Sequence, residues 1–405
     1  MIRLKDTKFP NTAEFLNNAI KVAEYYGFAP LDEMRLMKEK DQKLRAAREK
    51  SESEIMIARR DERALLSTAR RCAAAARSQR ALGQGEHFLA WRMSQGQGTV
   101  PQQTLELHVV GSSGAIAEAI LLVVASAIAE EAGLAERTLS INNIGSFESS
   151  NRFVRDVGTY LRKHIESISP TLRPRAAEDP LGTLVQLIEK GHPAAPRAPQ
   201  AMEYLTEEER RKFWELLEYL ESFGLAYELT PSVLGSRDCW AHSLYELSMT
   251  DDETGGRLSY AFGGRYDPLV TRYAGAHTPA VMIAINVEIR GKTTFKRAVP
   301  ALPAIYFAHL GPEARRRALP VLETLRRAEI PVHQSLLYER IGEQMAKAKE
   351  LATPYILIMG YKEAMENTIL VREVATNSQD AVPVDDIANY LKRRRMGVWR
   401  SEVRA

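Results

Sequence analysis

FGGRYDPLV, Phe262–Val270, sets two adjacent glycines before a cation, a phenol and a carboxylate, and an apolar run follows. Glycine lets a backbone turn tightly or lets another group come close. Arg265, Tyr266 and Asp267 offer the polar groups of a ligand pocket. The competing reading is a fold-keeping turn, with Arg265 paired to a buried carboxylate such as Asp238 or Glu246. The flanking segments decide what carries the triplet. LAYELT, SLYELSM and RLSYAFGG lead into it, and VMIAINVEI follows. Such a run of short strands after helices predicts an antiparallel sheet, hence an α+β unit.

Working outward, the pattern changes after about Lys296. AIYFAHL, IPVHQSL, YILIMG and TILVREV read as strands. PEARRRALPVLETLRRAE, IGEQMAKAKELAT and DDIANYLKRRR read as helices between and after them. Strands alternating with helices predict a small α/β unit with a mainly parallel sheet. Upstream, Thr12 is placed to cap AEFLNNAIKVAEYYGF, whose Phe15, Ala19, Val22 and Tyr26 share one face. Gly27 ends that helix, and Lys38 to Arg80 is charged and helix-forming. LELHVV, 105–110, is a weakly alternating strand. A long apolar helix follows over about 115–132, then the strand LSINNIG, 139–145. Residues 169–200, with GHPAAPRAPQ, read as a linker or the edge of an insertion. Thr206 and Glu209 form a capping box for EEERRKFWELLEYLESFG.

The chain has 405 residues and a net charge of +3, too small to argue nucleic-acid binding alone. Arginines cluster over 59–80, and 392–404 is basic; each is a solvated face or a phosphate contact. Two cysteines, Cys72 and Cys239, stand in no metal-like spacing and fit a reducing cytosol. His108 and His242 are scattered and read as ordinary polar residues, so no metal site is assigned. MIRLKDTKFP lacks the apolar core of a signal peptide. AILLVVASAIA, 119–129, is too short to span a bilayer and reads as a buried helix, so no membrane contact is expected.

GGRYD, then PAVMIAINVEIR, then ETLRRAEIPV, QMAKAKELATPYILIMGYKEA and TILVREVATNSQ stand in an order that resembles histidyl-tRNA synthetase, a class II aminoacyl-tRNA synthetase. The resemblance covers nearly the whole chain. It implies a class II synthetase-like core over 1–297, an antiparallel sheet flanked by helices, with a helical insertion near 150–225. A small α/β anticodon-binding-like domain would follow over 301–393, then a basic tail over 394–405. It also implies a homodimer built on the motif 1 helix and strand, a cytoplasmic setting, and tRNA held through the C-terminal domain. Family chemistry joins histidine to ATP, with magnesium, and passes histidine to tRNA. ATP and magnesium are therefore expected only if the chain is active.

The family's motifs are only partly present. In GSRDCWAHSLYE, Asp238 keeps the family Asp, Gly235 falls at the catalytic Arg, and Cys239 and Trp240 replace two tyrosines. Arg237 is offset by two positions. In QQTLELHVVG, Thr104 stands for a Gln and His108 for the Glu that meets the substrate ammonium. A histidine cannot supply that anion. AINVEIRG puts Asn286 at the motif 3 Gly and Ile289 at its Arg, with Arg290 one residue late on what is read as a helix. Met34 replaces the motif 1 proline. By this resemblance Asp238, Trp240, Arg265, Tyr266 and Asp267 would line a histidine-like pocket. Arg60, Glu62, Arg92 and Arg290 would meet ATP. No catalytic residue is assigned. Losing one preorganised donor costs about 10²–10³ in rate. The expected function is a paralogue with impaired or no aminoacylation that keeps tRNA or partner binding. An active histidine–tRNA ligase is the alternative, with Arg237, Arg92 and Arg290 taking over the displaced roles. A regulatory subunit of histidine biosynthesis is the more distant one.

Overall fold

A computed structural model of the chain describes residues 1–34, 36, 55, 57, 62–83, 85, 87–96, 100–134, 136–251, 255–294, 297, 303–334 and 336–396. Arg60 and residues 397–405 of the basic tail lie outside them. Two sheets carry the fold. The first has eight strands in the order β1-β2-β3-β8-β7-β6-β4-β5. These are β1 (Ala29–Pro30), β2 (Phe88–Gln95), β3 (Gln102–Val110), β4 (Arg137–Asn143), β5 (Tyr227–Leu229), β6 (Ala241–Thr250), β7 (Arg257–Arg265) and β8 (Ala280–Glu288). Its five inner pairings are antiparallel, and only the short edge strands β1 and β5 pair in parallel.

The sheet has two differently covered faces. On one lies α3 (Ile116–Ala132), apolar all round and therefore buried all round, packed against α1 (Thr12–Tyr25), α7 (Glu207–Phe223) and strands β3 and β8. Leu105, Leu107, Val109, Ile283 and Ile285 point into this layer. On the other lies α2 (Glu62–Leu82), whose Ala69, Cys72, Ala73 and Ala76 form a small-residue face. That face lets α8 (Asp267–Ala274) pack close, through Leu269, Val270 and Tyr273. The apolar run after GGRYD is thus α8.

The segment between β4 and β5 is helical: α4 (Phe147–Lys163), α5 (Arg173–Glu178), α6 (Pro180–Glu189) and α7. Glu209 closes the expected capping box on α7; burial pushes its carboxyl up, but hydrogen bonds from Thr206, Ser146 and Ser149 hold it down at about 2.

The second sheet runs β10-β9-β11-β12-β13. Its strands are β9 (Ile305–His309), β10 (Val332–Gln334), β11 (Tyr355–Met359), β12 (Thr368–Glu373) and β13 (Gln379–Pro383). Around it stand α9 (Pro312–Arg327), α10 (Ile341–Glu350), α11 (Tyr361–Glu366) and α12 (Ile387–Arg393). The mainly parallel sheet expected here is corrected: two pairings are parallel and two antiparallel. TILVREV turns straight back into QDAVP as a hairpin, with no crossover helix to make it parallel.

Two further expectations change. Asn11, not Thr12, caps α1, through its side chain on the Glu14 N–H. AINVEIRG is the end of strand β8 and a bend, not a helix, because Ile2 and β3 hold its backbone extended.

The second sheet's unit is bound tightly to the first. Tyr26 donates to Glu323 Oε2 at 2.7 Å, and Tyr25 donates to the Ile330 carbonyl. Arg326 joins Glu323 to Glu131, and Arg327 joins Glu323 to Glu130.

Candidate functional site

Gly263 and Gly264 make no turn; both lie in strand β7. A Cβ on Gly263 would stand 2.1 Å from the Met282 carbonyl and 2.7 Å from the Tyr245 ring. Tyr245 sits directly opposite Gly263 and reaches across it to donate to Met282 O at 2.8 Å. The missing side chain admits a ring of the protein itself.

Strand alternation then sends Arg265 and Tyr266 to opposite faces. Arg265 is 4% exposed and makes a bidentate pair with Glu118 of α3, with both contacts at 2.7 Å. Its remaining donors hold the Ser112 and Gly114 carbonyls. The partner is therefore Glu118, not Asp238 or Glu246. The carboxylate in the first turn of an apolar helix gave no sign of this, because its partner is 147 residues away. Asp267 opens α8, accepts from the Ala280 N–H at 2.6 Å, and stands 3.7 Å from Arg265.

Tyr266 faces α2. Its hydroxyl donates to Cys72 Sγ at 3.3 Å and shares a hydrogen bond with His108 Nδ1 at 3.0 Å. His108 Nε2 lies 3.5 Å from Glu106 Oε2. Glu106 accepts from Thr68 at 2.9 Å and Ser94 at 2.6 Å, and Arg92 donates to Thr68 at 2.8 Å. Thr104, Glu106 and His108 occupy alternate positions of β3, on one face, all buried. Burial pushes the Glu106 carboxyl up, but His108, Ser94 and Thr68 outweigh it and hold it below its ordinary range. Burial pushes the Cys72 thiol up to about 12 and the Tyr266 phenol well above its usual value, so both stay protonated and unreactive near neutrality.

A second cluster closes the neighbouring space. Glu62, fully buried, accepts from the Ser236 N–H at 2.7 Å and from Trp240 Nε1 at 3.1 Å. Trp240 stacks edge-on against Phe262. A Cβ on Gly235 would meet Trp240 Cδ1 at 2.5 Å and Glu62 Oε1 at 2.9 Å. An arginine at 235 has no room while Trp240 stands there.

Arg237, Arg92 and Arg290, offered for the family's arginine roles, are engaged or placed elsewhere. Arg237 bonds Asn151 of α4 and lies over the Phe147 ring. Arg92 is engaged with Thr68 and lies within 4.0 Å of Glu106 and 3.8 Å of Asp32. Arg290 is exposed beyond β8, and its backbone is bonded to Thr12. Asp238 is half-buried in the turn before β6. Thus Glu62 and Trp240 come together, Tyr266 and Arg92 flank the Glu106–His108 pair, and Arg265, Asp267 and Arg290 lie apart from them. Glu106, Thr68 and Cys72 were missed. The one local signal was the polar alternation Thr104-Glu106-His108. Among the described residues, no group of three or more His, Cys, Asp or Glu could hold a metal, and no helix is long and apolar enough to cross a membrane.

The sequence profile of an anticodon binding domain matches residues 305–394. The histidine–tRNA ligase of Acaryochloris marina is 27% identical over 289 residues, covering 70% of this chain and 66% of that enzyme. That of a Cyanothece species is 28% identical over 295 residues, covering 72% and 68%. The chain thus spans about two thirds of the length of these relatives. The crystal structure of apo S. aureus histidyl-tRNA synthetase overlays with a TM-score of 0.47 at 19% identity, covering 94% of this chain and 95% of that one. By these matches the chain is similar to histidine–tRNA ligases over about 70% of its length and carries an anticodon binding domain match at residues 305–394.

Proposed function

We propose that the chain is a histidyl-tRNA synthetase-like protein of the cytosol that does not aminoacylate and keeps RNA contact through the unit around residues 305–394. One observation carries the reading. The α2-facing side of the sheet, where Thr104, His108, Tyr266, Glu62, Trp240 and Gly235 match the family's motif positions, is closed by the protein's own groups. His108 bonds Tyr266, Glu106 collects three side chains, and Trp240 with Glu62 fills the space over Gly235. An incoming histidine would have to displace these bonds and leave buried groups unpaired, which costs about 1–3 kcal/mol for each.

The residues expected to hold ATP and magnesium do not fit them. Glu62 has protein donors, Arg92 is held beside Glu106, and Arg290 is exposed beyond the end of β8. No step through a nucleotide or metal follows from this set.

The test is histidine-dependent ATP–pyrophosphate exchange on folded protein, with tRNA binding measured beside it. The expected result is exchange at the enzyme-free level, with tRNA affinity that falls steeply as salt rises. Exchange well above the blank overturns the loss of chemistry and makes the chain a working ligase. Equal affinity at low and high salt overturns the phosphate contact. A homodimer built on α1 and β1 belongs to the same reading. Light scattering at micromolar concentration should give twice the 45.4 kDa of the chain, and a monomer mass removes that part.

A further inference from the structure

On the α3 side of the sheet, away from the closed cluster, lies a cavity of about 130 Å³. Its walls come from the first turn of α3, the start of α7, the end of β4 and the start of β6. His242 lines it. This histidine is held at φ 54°, where β6 and β7 lose register, in the left-handed region a non-glycine side chain seldom adopts. Its backbone is fixed on both sides, by Gly145 O and Ile144 N. The bulge aims the imidazole at the cavity instead of the core.

The donors and acceptors around this space can be accounted for. Arg265 has four of its five N–H groups on Glu118, Ser112 and Gly114, and its Nη1 stands 3.7 Å from Asp267 Oδ1, so it has little to offer a further anion. Glu118 is filled by Arg265 and Ser243. Glu209 is filled by Ser146, Ser149 and Thr206, yet no cation neutralises it among these bonds. Lys212 is half-exposed and paired with Glu208. Acceptors remain. Asp267 uses one carboxylate oxygen on Ala280, and the His242 ring has no hydrogen bond to any described residue. The lining therefore carries surplus acceptors and a negative balance.

We propose that this cavity binds a small molecule bearing a primary ammonium group, held by Asp267 and His242. An ammonium has three N–H donors and no acceptor. Two meet Asp267 and the imidazole, and the third reaches water at the mouth. The site goes beyond the proposed function and stands whether or not the chain aminoacylates. Burial holds His242 below its ordinary value, against Asp267, Glu209 and Glu118, which raise it, and with Arg265, which lowers it; His277 and Lys212 face the same space. The ring is thus neutral and able to accept near pH 7.

The test uses the full chain and calorimetric titration at fixed ionic strength. Ethylammonium is expected to bind saturably, and tetramethylammonium, with the same charge and no N–H, is not. His242→Asn tolerates the left-handed backbone, and Asp267→Asn keeps the oxygen that holds Ala280. Each should remain folded and weaken ethylammonium by about tenfold or more. Acidification through the lowered value of His242 should weaken it too, because the protonated ring repels the ligand. L-alanine tested beside ethylammonium separates the sources. Binding of both supports an amino acid as the natural ligand, and binding of ethylammonium alone supports a simple amine. Equal binding of tetramethylammonium, or unchanged affinity in both folded variants, overturns the proposal.

Discussion

An Arg265→Met substitution is expected to remove about 3–5 kcal/mol of folding stability, measured by urea unfolding. The loss follows from what it leaves behind. Glu118 would keep its charge 5% exposed, with only the Ser243 hydroxyl as partner. The Ser112 and Gly114 carbonyls would lose their donor as well. A typical protein is stable by about 5–15 kcal/mol, so this single change takes a large share. The double variant Glu118→Met with Arg265→Met should lose less than Arg265→Met alone, because no charge is then buried unpaired. A single variant within about 1 kcal/mol of the parent would mean the pair does not hold the sheet to α3.

Glu323→Gln is the second large effect. Glu323 is the hub between the two sheets, taking Tyr26, Arg326 and Arg327 at once. A loss of about 2–4 kcal/mol is expected, since two arginines lose a buried charged partner. The transition should also broaden or split, as the second unit comes free of the first. The pH dependence has a definite sign. Burial pushes the Glu323 carboxyl up, but Arg326, Arg327 and Tyr26 prevail and hold it below the ordinary value. The stabilisation is therefore complete above the ordinary glutamate range and is lost as pH falls from there through the folded value. In Glu323→Gln that part of the acid sensitivity should vanish. Parent and variant curves that stay parallel down to low pH would rule the hub out.

Much of the architecture was legible because periodicity reports burial. The α3 segment is apolar on every side, α7 announces itself by a capping box, and β9 and β11 are short apolar runs. Strand β2 was not read as one, since FLAWRMSQ mixes charged and apolar residues with no clear period. Strand β13 escaped because only Val382 of QDAVP is buried. The second sheet was misjudged for the same reason, as the missing strand is the one that makes the hairpin. The site was less legible still. His108 and Tyr266 are 158 residues apart, and Trp240 and Glu62 are 178 apart. Such pairs leave no local pattern. Gly235 and His108 could be singled out in the sequence, but the groups packed against them could not.

The closed cluster around Glu106 also bears on how freely these positions can change. A carboxylate set at position 108 would stand beside Glu106 where an imidazole now sits, and two like charges in a dry site resist ionisation together. Removing Glu106 first would take the acceptor from the Thr68 and Ser94 hydroxyls and the neighbouring anion from His108 Nε2. An arginine at 235 would need Trp240 cleared beforehand, and that would take one donor from the buried Glu62. Each single change at these positions thus takes a bonding partner from a buried neighbour. The interlocked bonds work as a ratchet: no one of these positions changes alone without taking a partner from the next.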